Sequence, residues 1–391
     1  MSQTKFVSGE TYSGPVYLDA AATTPTDPRV AALVLRLMTE EYGNAGSRTH
    51  VYGADALAHV TKAREQIAKT LGAKPDEVIF TSGATEADNL AVLGLQQAGL
   101  DQGRRHIVST AIEHKAVLEP LEYLEARGFE VTLISPDAAG YVSADEVLAA
   151  VRPDTLLVSV MHGNNETGAL QPISAIAEGL AGDGPLFHVD AAQTYGRETE
   201  ALRHPRIDLI ALSGHKVFGP KGVGALIARR RDGRRPPLSA LMYGGGQERG
   251  LRPGTLPTPL VAGFGYAAEL AEKERLARRT ACLAVRDAAL LAFMPLEPVV
   301  HGDPVRGVLP NILSLAVPGL DSEAVMVAAK DLVAISNGSA CTSAHYQPSH
   351  VLTAMGLDRD VIDGTLRLSW SHQTPAVPWE ALASRLDDLR L

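Results

Sequence analysis

From about residue 16 to residue 228, short apolar runs alternate with longer stretches of helical periodicity. Strands are predicted at 78–80, 107–110, 130–134, 156–161, 187–189, 209–213 and 224–228. Several of these runs are continuously apolar rather than alternating, as strands covered on both faces are. Helical patterns fall between them at 52–70, 86–95, 115–126 and 144–151. Alternating strand and helix over such a length implies a mainly parallel sheet with helices on its faces. The pattern changes after Gly244. A turn, Gly244-Gly245-Gly246, leads through Arg252-Pro253-Gly254-Thr255 into a long helix predicted at 260–291. The remainder mixes helices and short strands, as a smaller α/β domain would. The domain boundary is expected inside the long helix, with residues 1–26 a lead-in segment packing on the small domain, 27–272 the large domain and 273–391 the small one.

Composition narrows the class. A chain of 391 residues is long for one core and suits two. A net charge of −9 argues against a surface that binds nucleic acid globally. Two cysteines, Cys282 and Cys341, make no disulfide framework, so a reducing cytoplasm is the expected compartment. Residues 1–14 are polar and lack a signal-peptide core. No stretch approaches the ~20 apolar residues of a membrane span. No Walker loop, His-Glu-x-x-His or clustered Cys/His spacing suggests a metal. The run Arg229-Arg230-Arg231-Asp232-Gly233-Arg234-Arg235 reads either as a polyanion patch or as a solvated hairpin tip.

Candidate chemistry sits at strand ends. Ser213-Gly214-His215-Lys216 follows the apolar run 207–212, and a lysine there can hold pyridoxal phosphate as a Schiff base. A surface lysine is the alternative, but the turn Phe218-Gly219-Pro220-Lys221-Gly222 would hold the segment more tightly than a surface lysine needs. Asp190, closing Phe187-His188-Val189-Asp190, is either a helix cap or the partner of a pyridinium nitrogen. With Lys216 it brackets the crevice in which α/β sheets bind ligands.

Thr81-Ser82-Gly83-Ala84-Thr85-Glu86 opens a helix after a strand, which suits either a phosphate or a plain cap. His114 is a ring-stacking, proton-relaying candidate or a helix-start histidine. Asn164-Asn165 either bonds a ligand or makes a turn. Arg367, read in an alternating strand, either clamps a carboxylate or faces solvent. Cys341 lies in a loop of small residues, Gly338-Ser339-Ala340-Cys341-Thr342-Ser343-Ala344, where a thiol can act as nucleophile. Cys282, on a helix, reads as a packing residue.

Taken in order, these motifs and Tyr17-Leu18-Asp19-Ala20-Ala21-Ala22-Thr23-Thr24-Pro25 resemble the cysteine desulfurases of the NifS/IscS class. These are class-V, pyridoxal-phosphate enzymes of the aspartate-aminotransferase fold (fold type I). The resemblance implies a large domain with a mainly parallel seven-stranded sheet plus a smaller α/β domain. It implies Lys216 as the Schiff-base lysine, Asp190 as the pyridinium partner, and Gln193 and Asn165 near the phenolic oxygen. Thr85, Ser213 and His215 would hold the phosphate, with Ala84 contributing backbone and Thr255 reaching in from the other subunit of a homodimer. His114 would stack on the ring, and Arg367 with Asn165 would bind the substrate, L-cysteine. Cys341 would carry the persulfide to a protein acceptor, either an iron–sulfur scaffold or a DNA-modification protein. The stretches Gly43-Asn44-Ala45-Gly46-Ser47-Arg48-Thr49-His50 and Ala111-Ile112-Glu113-His114-Lys115 resemble the DNA-phosphorothioation branch. The chain ends at Leu391 without the longer tail by which housekeeping members dock the scaffold, so that partner is the less expected of the two.

Overall fold

The computed structural model describes residues 4–5, 11–12, 14–337 and 348–390. Seven strands form the large sheet: β1 (Val78–Thr81), β2 (His106–Thr110), β3 (Glu130–Ile134), β4 (Thr155–Ser159), β5 (Leu186–Asp190), β6 (Leu209–Ser213) and β7 (Gly224–Ala228). Their spatial order is β1-β7-β6-β5-β4-β2-β3. The pairs from β6 to β3 are parallel, and β7 runs antiparallel to both β6 and β1. Every residue of β1, β2, β4, β6 and β7 is buried, which is why those runs carry no alternation. Edge strand β3 is only partly covered.

Helices pack on the faces, among them α1 (Pro28–Thr39), α2 (Val51–Leu71), α3 (Ala84–Leu93) and α4 (Lys115–Glu125). The α3 helix begins two residues earlier than its periodicity suggests. Its first turn, Ala84 and Thr85, faces a cavity rather than the core, so it carries no apolar signal.

The long helix α5 spans Thr258–Phe293 and joins two hydrophobic clusters. Its first half, including Val261, Phe264 and Leu270, packs into the core beneath the sheet. Its second half, with Cys282, Ala289 and Phe293, packs with Leu18, Leu313, Leu368 and Trp370. In that second cluster β8 (Ile312–Ala316) pairs antiparallel with β9 (Thr365–Ser369). The N-terminal segment reaches the same region: Val16–Tyr17 pairs in parallel with Val333–Ala334, and Asp19 bridges to Ser369.

Two sequence readings are corrected. Strand β9 is buried along its whole length instead of alternating, so Arg367 is an inward residue, 5% exposed. The arginine run is a hairpin tip, closed by an Arg231–Arg234 bridge, yet it is not simply solvated. Arg229 is buried and donates to the carbonyls of Leu71, Leu202, His204 and Ile207. Arg230 pairs with Asp76 and Arg231 with Asp208, so most of the run's charge is met internally.

Candidate active site

The strand ends build the site. The Lys216 segment leaves β6 through the single turn Gly214–Lys216. That turn is tied down from three sides. Gly214 N–H donates to Val223 O at 2.9 Å, Gly219 N–H to Gly214 O at 3.0 Å, and Thr24 Oγ1 to His215 O at 2.8 Å. Phe218 takes a positive φ of 66°, a strained setting for an aromatic residue that the surrounding bonds must hold. Lys216 Nζ donates to Ala22 O at 2.9 Å and also to Ala21 O. The N-terminal segment 20–24 is therefore one wall of the site.

Asp190 ends the neighbouring strand β5. Its Oδ1 accepts from Ala192 N–H at 2.8 Å and so caps a turn; no helix starts there, against the helix-cap reading. Burial pushes its pKa up, and the Ala192 bond and the His114 and Lys216 charges oppose that rise. His114 caps α4 by accepting Ala116 N–H on Nδ1 at 3.1 Å, which leaves Nε2 to carry the proton of the neutral ring. Burial and the Lys216 and His350 charges hold its pKa down, against the pull of Asp190. Burial and the nearby Lys216 and Lys221 charges lower His215 to about 4.

These groups line a cavity of about 770 Å³. Ala84, Thr85, His114, Asn165, Asp190, Gln193, Ser213, His215, Lys216 and Arg367 are all in its wall. The sequence reading thus assembles, from β1, β2, β4, β5, β6 and β9, one continuous surface. Two expected members are not among the wall residues described. Thr255 is exposed and outside this wall. Cys341 lies outside the described residues.

Asn164 and Asn165 divide the two roles expected of them. Asn164 is fully buried and makes the turn, accepting from Glu166 N–H and Thr167 N–H on Oδ1. Asn165 faces the cavity. Arg367 Nη2 pairs with Asp19 at 2.8 Å, its Nη1 donates to Asn165 O at 3.1 Å, and its Nε is buried without a partner.

Sequence reasoning missed Asp88, Ser349 and His350 in the wall, and Glu113 just behind it. Asp88 on α3 is 1% exposed, with neither oxygen hydrogen-bonded and His188 Nε2 3.3 Å away. Burial and the facing Asp190 and Glu113 carboxylates push its pKa well up. Glu113, just behind the wall, accepts from Thr110 Oγ1 at 2.7 Å and Met161 N–H at 2.8 Å, and burial raises it to about 8. Ser349 and His350 enter the wall from the chain that follows residue 347, with Ser349 donating to Glu166 and His350 Nε2 bonded to Glu113 O. The only available signal was the small-residue pattern around Asp88, which marks a buried helix face.

The chain belongs to the class-V aminotransferase family. The model of that family, aminotransferase class-V, matches residues 16–376. A cysteine desulfurase IscS of Methylococcus capsulatus (strain ATCC 33009 / NCIMB 11132 / Bath) is 43% identical over 374 residues, covering 96% of this chain and 92% of that protein. A solved NifS-like protein superposes with a TM-score of 0.86 at 34% identity, covering 96% of this chain and 98% of the other. DndA from Streptomyces lividans superposes with a TM-score of 0.80 at 50% identity, covering 91% and 99%.

The family's cofactor is pyridoxal phosphate, and the residues present fit it. Gly83 caps α3 with no side-chain bond, and a Cβ built there would meet nothing within 4 Å. The helix N-terminus therefore opens on free space of the kind a phosphate takes. Gly224 lies directly behind, where a Cβ would come within 2.6 Å of Gly83 Cα, so β7 supports that loop only as glycine. Gln193 donates Nε2 to Ala21 O at 2.9 Å and leaves Oε1 buried and unpartnered. Among the described residues no group of three His, Cys, Asp or Glu could hold a metal ion, and no helix is long and apolar enough to cross a membrane.

Proposed function

We propose that this protein is a cysteine desulfurase that moves the sulfur of L-cysteine onto Cys341 as a persulfide and releases L-alanine. The observation that carries the reading is the single cavity in which Lys216, Asp190, His114 and Arg367 meet. The 43% identity to an IscS cysteine desulfurase supports the same reaction.

Pyridoxal phosphate, when bound, supplies an electron sink for the pair left at the substrate's α-carbon. Asp190 holds a proton on the ring nitrogen through a charge-assisted hydrogen bond. The backbone at Ala84, with Thr85, Ser213 and His215, binds the phosphate at the open end of α3. Gln193 and Asn165 orient the ring from the side of the phenolic oxygen, and His114 covers its face. Arg367 binds the substrate carboxylate through the edge now shared with Asp19 and Asn165 O. Lys216 Nζ takes the α-proton and returns one to carbon. His114 Nε2 exchanges a proton with the substrate thiol.

Cys341 reacts as the thiolate, because a neutral thiol is a poor nucleophile. Its Sγ bonds to the substrate sulfur as the Cβ–S bond breaks. The carbon keeps the electron pair, takes up a proton and leaves as alanine. The chain is left with one extra sulfur on Cys341.

Four further readings belong with this one. The chain forms a homodimer, with Thr255 completing the phosphate site of the other subunit. Its exposure and the exposed Tyr243 and Met242 nearby support this. The large and small domains divide at residues 272 and 273, with residues 1–26 a segment packing on the small one, a reading the two hydrophobic clusters on α5 support. The protein works in the cytoplasm. The acceptor is a protein of DNA phosphorothioation, a reading supported by the 50% identity to DndA.

Intact-protein mass spectrometry after incubation with L-cysteine tests the reaction. One added sulfur atom located on Cys341, with alanine formed in step, is expected. Alanine formation undiminished in Cys341→Ser would overturn the desulfurase assignment in favour of a lyase of the same fold.

A further inference from the structure

A second, much smaller cavity borders the Lys216 turn and is lined by Lys216, Val217 and Phe218. It holds about 30 Å³, room for one or two water-sized bodies. Its wall is unusually cationic. Arg197, Arg275, Arg278, Arg279 and Lys216 line it, against the single carboxylate of Glu198.

Some of that charge is compensated. Arg279 pairs with Glu198, and Arg278 donates to Glu274 at 2.8 Å, with Asp27 3.9 Å away. Arg197 has no carboxylate partner among the described residues. Its guanidinium makes one hydrogen bond, Nη1 to Gln193 O at 3.0 Å. Burial, with some repulsion from Arg278, holds its pKa down to about 10, so the cation is kept there at a cost. Arg275 Nε is also buried without a partner.

The opposite wall supplies the independent observation. Asn311, 1% exposed, closes the cavity from the β8 side, and both its Nδ2 and its Oδ1 lack any hydrogen-bond partner. A buried primary amide with both ends empty is a costly arrangement unless something in the cavity meets it. Nearby Cys282 does not supply the missing negative charge, because burial raises its thiol to about 11.

We propose that this cavity binds a small monovalent anion of chloride size, held by Arg197, Arg278 and the Asn311 amide. Donors from both sides of the cavity fit that species: guanidinium N–H groups from the loop after β5 and from α5, and an amide N–H from the segment leading into β8. The small accessible volume favours a halide-sized ion over a larger anion. The anion ties the loop after β5 and the back of the Lys216 turn to the β8–β9 cluster. Its role is to fix the second cluster against the lysine segment, and it stands independently of the reaction assigned above.

Bromide supplies the direct test. Crystals of the holoprotein soaked in sodium bromide and measured at the bromine edge should show an anomalous peak bounded by Arg197, Arg278 and Asn311. In solution, replacing gluconate by chloride at constant ionic strength should raise the melting temperature saturably, by roughly a few degrees. Arg197→Met and Asn311→Leu should each lose most of that increment. Arg197→Met should also melt no lower than the parent in gluconate, because it removes a cation with no carboxylate partner among the described residues. Absence of anomalous density there, with equal melting of the parent in the two salts, would show that only water fills the cavity and would overturn the proposal.

Discussion

Replacing Arg367 by lysine isolates what its planar fork contributes. Arg367 is 5% exposed in a fully buried strand and already spends Nη2 on Asp19 and Nη1 on Asn165 O. A lysine at this position keeps one positive charge and can keep the Asp19 pair. It cannot present a second, parallel N–H to a carboxylate. The expected loss is one hydrogen bond to a charged group, about 1.5–3 kcal/mol, or roughly 10- to 100-fold in affinity. The assay compares S-methyl-L-cysteine, which has no thiol to transfer, with its carboxamide, each titrated against the holoprotein by cofactor absorbance. Arg367→Lys should weaken the acid by that factor and leave the amide nearly unchanged, since only the acid uses the fork. Melting temperatures of the two proteins control for the Asp19 contact, which also anchors the N-terminal segment. Equal weakening of acid and amide would refute the reasoning, because the variant would then have disturbed the cavity instead of one contact.

Gly83→Val should leave the cofactor-free protein folded, since φ is 168°, an extended value open to any residue, and the added Cβ meets nothing. It should weaken pyridoxal phosphate binding at least tenfold, measured by absorbance titration, because its side chain fills the phosphate's space. Glu113→Gln should change the pH dependence of stability. Glu113 is raised to about 8 in the fold, so the native state binds more protons than the unfolded one between the ordinary carboxylate range and pH 8, and its contribution falls as pH rises through that window. Glutamine keeps an oxygen for Thr110 and Met161, so urea unfolding at pH 5 and pH 8 should show the variant gaining on the parent by a few kcal/mol at the higher pH. Cys282→Ser should keep persulfide formation while costing about 1–2 kcal/mol of stability, since a hydroxyl replaces a thiol in the second cluster; loss of the persulfide in this variant alone would move the nucleophile from Cys341 to Cys282.

Much of the large sheet was legible because burial on both faces removes alternation, and β1, β2, β4, β6 and β7 all read as short apolar runs. Direction was not legible. The antiparallel strand β7 is as apolar and as buried as its parallel neighbours, so nothing in its composition distinguishes it. Strand β9 misled for a related reason. Its polar positions, Thr365, Arg367 and Ser369, mimic a solvated face but are satisfied internally by His301, Asp19 and Ala21 N–H. At the site, Asp190 and Lys216 were found because strand ends are where such sheets place ligands. Asp88 and Glu113 were not, because an acidic residue in or before a helix reads as solvated or capping. Only the third dimension shows that their side chains turn inward.

The inward turn of those acids bears on why Asp190 is the carboxylate proposed to pair with the cofactor. Asp88, Glu113 and Asp190 are all at most 6% exposed and repel one another, and three carboxylates packed this way cannot all be ionised. Their surroundings differ in one respect. Asp88 and Glu113 face other carboxylates, and the histidine beside Asp88, His188, is held neutral by burial, with a pKa near 3. Asp190 alone of the three has His114 and Lys216 among the groups opposing its rise, and like Glu113 it accepts a backbone N–H. Burial and the neighbouring carboxylates favour a proton on Asp88 and Glu113, while His114 and Lys216 favour the charge on Asp190 over either neighbour. Burial still pushes Asp190 upward, so these partners do not fully offset its desolvation. Under the proposed assignment, a protonated pyridine ring would supply the cation that is lacking. Cofactor binding and ionisation of Asp190 should then favour each other, and neutral Asp88 and Glu113 serve by leaving that charge undivided.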